Sequence, residues 1–184
     1  TLHERVVWTE QKAFLSQLSD ADTDGIIWRR KVPNFVQNWL NGLERDRLPT
    51  GRVILKREDV AQCVHILFAR YGAKQSEPLD WLADDVAQLA EITQRATQAP
   101  WMRLRMEAVS NNACSKFHID AVEARLICTY RGPGTELTTE IGDISLSNVS
   151  SVPNGLPILL KGKLWPGADS LHLRHRSPQI AGSG

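Results

Sequence analysis

The spacing of apolar residues changes character at Pro100, and that change commits the chain to a mixed fold. Before Pro100 the spacing is helical. Phe35, Val36, Trp39, Leu40 and Leu43 share one helical face just after the breaker Pro33. Val60, Val64, Leu67 and Phe68 do the same within 59–71, with Gly72 as a stop. Leu82, Val86, Leu89 and Ile92 predict a third helix over 79–96. After Pro100 the pattern alternates. Met102, Leu104, Met106 and Ala108 fall on one side and Arg103, Arg105 and Glu107 on the other, predicting a strand over 101–109. Asn111-Asn112 reads as a turn. Further strands are predicted over 124–130, closed by Gly132-Pro133-Gly134, over 156–165, interrupted by Gly162, and over 171–176, stopped by Pro178. Residues 142–154 read as a loop, and Ile26-Ile27-Trp28 as a short strand within the helical half. The expectation is an α+β fold with helices first and an antiparallel sheet after them. The 184 residues suit a single domain, mainly helical over about 1–99 and mainly β over 100–184.

Composition narrows the partners. Charged residues at 23% and hydrophobic residues at 42% describe an ordinary globular chain. The net charge of +1 provides no global field toward nucleic acid or an anionic membrane, so neither is expected as a partner. No apolar run approaches the roughly 18–20 residues of a membrane span. Glu4, Arg5, Glu10 and Lys12 interrupt the apolar core that a secretion signal would need. Cys63, Cys114 and Cys128 are odd in number and lack C-x-x-C spacing, which points to a reducing, cytoplasmic setting.

The chemistry concentrates after Pro100. Phe117-His118-Ile119-Asp120 contains an H-x-D, and residues two apart on a strand share a face. One imidazole and one carboxylate on one face grip a single cation, and His175 on the last predicted strand supplies a second imidazole. Two histidines and a carboxylate leave the opposite coordination positions open, as in non-haem Fe(II) oxygenases. His172, three residues before His175, falls on the opposite face, and His3 and His65 lie in the helical half as structural or solvent-facing residues. Cys114, four residues before His118, makes a zinc site with His118, Asp120 and His175 an alternative, whereas Cys128 inside a strand reads as core. Tyr130, Thr135 and Glu136 flank the tight Gly-Pro-Gly turn as candidate pocket residues. Arg125 either binds a substrate carboxylate or pairs with Glu123.

Several runs together resemble a known family: Ile27-Trp28-Arg29-Arg30, Ala99-Pro100-Trp101-Met102-Arg103-Leu104-Arg105-Met106-Glu107, Cys114-Ser115-Lys116-Phe117-His118-Ile119-Asp120, Arg125-Leu126-Ile127-Cys128-Thr129-Tyr130-Arg131-Gly132-Pro133-Gly134-Thr135-Glu136 and His175-Arg176-Ser177-Pro178. In matching order over nearly the whole chain, they resemble a bacterial family known as domain of unknown function 1826. That family usually carries Trp where this chain has Leu137. The resemblance implies a bacterial origin and a tie to zinc or metal homeostasis. The H-x-D…H order is also similar to that of the Fe(II)/2-oxoglutarate oxygenases. This second likeness implies a double-stranded β-helix of cupin or jelly-roll type, with the N-terminal helices packed on it. It implies Fe(II) on His118, Asp120 and His175, and 2-oxoglutarate as a small-molecule co-substrate. Arg125, Tyr130 and Arg176 are then the candidate catalytic residues. Those oxygenases place a co-substrate Arg on the strand after the distal His, a position that falls at the end of this sequence near Gly184. Lys161 and Lys163 on the neighbouring strand therefore join Arg125 as candidate co-substrate anchors, the other reading being solvated charges on an alternating strand. The rival functions are a zinc protein of metal homeostasis and a cupin-like binding module without metal. The N-terminal helices either brace the sheet or form a homodimer.

Overall fold

The computed structural model describes residues 1–109 and 116–180. In chain order the elements are α1 (Leu2–Arg5), β1 (Val6–Thr9), β2 (Gly25–Trp28), α2 (Asn34–Gly42), β3 (Gly51–Leu55), α3 (Val60–Arg70), α4 (Glu77–Thr97), β4 (Met102–Met106), β5 (Ala124–Cys128), β6 (Glu136–Thr138), β7 (Ser150–Ser151), β8 (Pro157–Lys161) and β9 (Arg174–Arg176). The architecture is mixed α+β, and no sheet closes into a barrel among the described residues. The chain divides into two compact units, one from Thr1–Lys31 with Ser110–Gly184 and one from Val32–Val109. No helix among the described residues is long and apolar enough to cross a membrane.

The first unit holds a four-stranded sheet in the order β1-β2-β8-β5 and a three-stranded sheet in the order β7-β6-β9. All pairings are antiparallel except β1 with β2, which run parallel. Directly paired residues share a face. The register therefore places Ile27, Ile158 and Ile127 in one row and Gly25, Leu160 and Arg125 in the next, all on the same side. From that side Ile27, Ile158 and Leu160 join Val6, Leu137, Val152 and Leu173 in one buried cluster. Each such side chain contributes roughly 1.5–3 kcal/mol on burial. Leu137 is thus a core residue at 2% exposure.

The second unit packs the two-stranded β3–β4 ribbon on α3 and α4. Leu55, Val60 and Ala90 are buried there, with Val53, Val86, Met102 and Leu104 against them. Each of its three longer helices overlaps its predicted span, since a 3.6-residue apolar stripe sustained over several turns specifies a buried helical face. The α4 helix starts with Pro78 in its first turn and ends on Gln98 in the left-handed region at φ 55°.

Several expectations are corrected. The predicted strand over 101–109 forms as β4, but it pairs with β3 in the helix-containing unit and with no strand of the C-terminal sheets. β1 and β3 lie within the half read as helical apart from Ile26-Ile27-Trp28, and only four or five residues each leave little alternation to detect. The predicted strand over 171–176 shortens to Arg174–Arg176 because the N–H groups of His172 and Leu173 donate to the Asp24 carboxylate instead of a ladder partner, at 2.8 and 2.9 Å. The strand over 156–165 stops at Lys161, just before Gly162. The Asn111-Asn112 turn and Cys114 lie outside the described residues.

Candidate metal centre

His118 and His175 meet through an isolated antiparallel bridge, each N–H donating to the other's carbonyl at 3.0 Å. Bridged residues project to the same side, and the two rings stand 4.6 Å apart between centroids. His175 also lies opposite Leu137 in the β6–β9 ladder, so its ring turns toward the side that carries the buried cluster. Asp120 follows two residues after His118. Its backbone is pinned by Lys163, whose N–H donates to the Asp120 carbonyl at 2.8 Å. Gly162 makes that approach feasible, since a Cβ there would stand 2.0 Å from the Val122 carbonyl oxygen and 3.0 Å from that of Asp120.

The three side chains converge. His118 Nε2 lies 3.4 Å from Asp120 Oδ1, and His175 Nε2 lies 3.2 Å from Asp120 Oδ2. One donor atom from each residue falls within 4.8 Å of the others. Donor atoms around one ion at about 2.1 Å are separated by about 3.0 Å in an octahedron and about 3.4 Å in a tetrahedron. The observed separations therefore suit a shared cation. His118 Nδ1 lies 2.9 Å from the Lys116 carbonyl, which only accepts, so Nδ1 carries a proton and Nε2 is the ring atom turned toward Asp120. His175 Nε2 and Asp120 Oδ2 are buried, and their mutual approach lacks hydrogen-bond alignment, leaving both without a hydrogen-bond partner among the described residues. Asp120 Oδ2 is met by the Arg125 guanidinium, so the orphan is His175 Nε2, a buried atom that a bound cation would satisfy.

Arg125 completes the electrostatics, with Nη1 in an ion pair 2.9 Å from Asp120 Oδ2. Burial pushes the Asp120 carboxyl up. The His175 imidazole, the Arg125 guanidinium and the His118 imidazole outweigh burial and hold the carboxyl below its ordinary value. The residue is thus an anion ready to ligate.

The other sequence candidates scatter. Lys161 pairs with Ala124 and so projects from the face of the sheet opposite Arg125. Its ammonium donates to the Asp20 carbonyl at 2.7 Å and sits beside the Trp165 ring, and burial lowers its pKa. Lys163 is exposed and reaches the centre only through its backbone. Tyr130 lies past the end of β5. Arg176 neighbours His175 on β9 and projects from the other face, where it bonds Glu136 at 2.6 Å and lies over the Phe117 ring at 4.3 Å. That outer face borders an open groove of about 450 Å³, lined in part by Lys116, Phe117, Arg174 and Arg176. His172 is exposed, and His65 lies 3.5 Å from Asp80 in the second unit.

Sequence reading missed Asp24. This residue is 2% exposed, and its Oδ2 accepts the consecutive N–H groups of His172 and Leu173 on the approach to β9. It thereby positions the strand that delivers His175, from a site 148 residues earlier in the chain. Only the Asp-Gly pair at the start of a strand marks it in the sequence, a signal that equally describes a turn.

No curated protein and no solved structure matches the chain. A family model described as protein of unknown function (DUF1826) matches residues 9–184, a span that contains His118, Asp120, His175 and Arg125. With nearly its whole length matched, the chain belongs to the DUF1826 family.

Proposed function

We propose that this is a mononuclear metalloprotein in which His118, Asp120 and His175 hold one divalent cation, and that it acts as an oxygenase-like enzyme using Fe(II) and 2-oxoglutarate. The observation that carries this reading is the convergence of one donor atom each from His118, Asp120 and His175 within 4.8 Å of one another, with His175 Nε2 buried and without a hydrogen-bond partner among the described residues. Two imidazoles and one carboxylate form a facial ligand set. Fe(II) bound there would supply open coordination positions for a 2-oxo acid and dioxygen. The chain's own residues prepare that chemistry. The Lys116 carbonyl fixes the His118 tautomer, and Asp24 fixes the path of the strand carrying His175. Arg125 neutralises Asp120 through Nη1 and, at 34% side-chain exposure, keeps further N–H donors for a substrate carboxylate. The same reading takes the two sheets of the first unit as an abbreviated double-stranded β-helix, supported by their shared core and the ligand order along the chain. Among the described residues Cys63 and Cys128 form no disulfide, which suits a cytoplasmic setting.

A second reading is a zinc protein of metal homeostasis, favoured by the 3.4 Å separation of His118 Nε2 and Asp120 Oδ1, which equals a tetrahedral edge of about 3.4 Å. Elemental analysis after anaerobic purification separates the two. About one iron per chain, lost in both His118→Ala and His175→Ala, with 2-oxoglutarate binding to the iron-loaded protein, supports the oxygenase. Zinc alone at that stoichiometry moves the function to the second reading. Iron-loaded protein that neither binds nor consumes 2-oxoglutarate ends the first.

A further inference from the structure

The β3–β4 ribbon buries one face against its helices and turns the other to solvent. Its register aligns the outward side chains in rows: Arg52 opposite Arg105, and Ile54 opposite Arg103. One step further along, Lys56 lies over the Trp101 ring at 5.5 Å. The rows are about 6.8 Å apart, two residues at about 3.4 Å each. Arg52, Ile54, Lys56, Trp101, Arg103 and Arg105 are all exposed, Ile54 at 65% and Trp101 at 55%.

Folding alone gives no reason for this face. Like charges directly opposite on paired strands destabilise a sheet, and Arg52 faces Arg105 in that way. Arg105 is balanced by Glu107 at 2.6 Å, whereas Arg52 and Arg103 have no hydrogen-bond or ion-pair partner among the described residues. A deterrent to edge-to-edge strand pairing works with charges of either sign. Among the outward positions 52, 54, 56, 101, 103, 105 and 107 of the ribbon, Arg52, Lys56, Arg103 and Arg105 stand against Glu107.

We infer that this ribbon face is a docking surface for single-stranded nucleic acid. The two parts of a nucleotide find separate partners on it. The free guanidinium forks of Arg52 and Arg103 match phosphate oxygens, and the exposed Trp101 indole and Ile54 give an unpaired base a surface to lie against. An acidic peptide would engage the arginines and leave the indole unused. The near-neutral net charge of the whole chain does not bear on this face, because the cations are segregated on one side of one ribbon. This inference is independent of the metal centre, which lies in the other unit.

The test is fluorescence polarisation of a labelled oligothymidylate of roughly 15 nucleotides titrated with the full chain. Binding should weaken between about 50 and 200 mM salt, with a log–log slope of about −1.4 for the two arginine contacts at roughly 0.7 each. Arg103→Ala should weaken binding several-fold and flatten that slope by about 0.7. Trp101→Ala should weaken it about 5- to 150-fold and leave the slope unchanged. The substituted side chains are exposed, so the variants keep the fold, which far-UV circular dichroism checks. No binding at the lower salt overturns the inference. So does a duplex of equal length bound as tightly, affinity unchanged by either substitution, or polyglutamate competing as well as the oligonucleotide, the last result assigning the face to an acidic protein.

Discussion

Asp120 carries most of the electrostatic consequence of the centre. Its carboxyl is held below the ordinary value of 3.8, against the effect of burial, by His175, Arg125 and His118. A depressed carboxyl contributes stability that is fully present above the unfolded value and is lost as pH falls through the folded value. The stability difference between the metal-free protein and Asp120→Asn should therefore hold steady above about pH 4 and shrink below it, as urea unfolding at stepped pH would record. Asp24 makes a separate prediction. Asp24→Ala leaves the N–H groups of His172 and Leu173 without their acceptor and removes the carboxylate 3.7 Å from Arg5. The expected cost is about 3 kcal/mol in denaturant unfolding, with metal affinity reduced about tenfold. These two residues also mark the limit of legibility. The His118–Asp120 pair was readable because strand alternation acts on residues two apart, and His175, far along the chain, only by its residue type on a predicted strand. Asp24 was not, because its role arises from hydrogen bonds to residues 148 and 149 positions away.

At the level of elements, periodicity was a good guide where it had length to act. The 21-residue α4 and 11-residue α3 repeat an apolar stripe over several turns. The three-residue β6 and two-residue β7 offer no pattern, and their pairing is set by distant partners. β4 was legible as a strand from its alternation, but its partner β3 lies 47 or more residues earlier and its own alternation is broken by Ile54 facing solvent. The junction of β8 with the Asp120 segment supplies the prediction at this scale. Gly162→Ala sets a methyl against the Val122 and Asp120 carbonyl oxygens. The backbone must shift, at roughly 1–3 kcal/mol. Because Lys163 holds the Asp120 carbonyl from the next position, metal affinity should fall as well, which titration calorimetry of the variant would measure. Gly134 is constrained in the same way, since a Cβ there would sit 1.9 Å from the Val152 carbonyl oxygen.

The molecule as a whole is discontinuous in sequence. The unit with the candidate metal centre uses Thr1–Lys31 and Ser110–Gly184, while Val32–Val109 forms a unit between them. The four-stranded sheet places β2 between β1 and β8, so residues from both ends of the chain share its centre. A fragment covering 32–109 should keep helical circular dichroism and a cooperative thermal transition. A fragment covering 110–184 lacks β1, β2 and Asp24, and should show neither a transition nor metal binding. Composition alone conveys none of this division, because a net charge of +1 averages over both units. The interleaving also sets an order of events at the ribosome. β2 emerges about 130 residues before β8, a delay of roughly 10 s at ordinary translation rates. Until then β2 lacks its antiparallel neighbour while the intervening unit is already complete, so its Ile26 and Ile27 are a natural place for a nascent-chain chaperone to act.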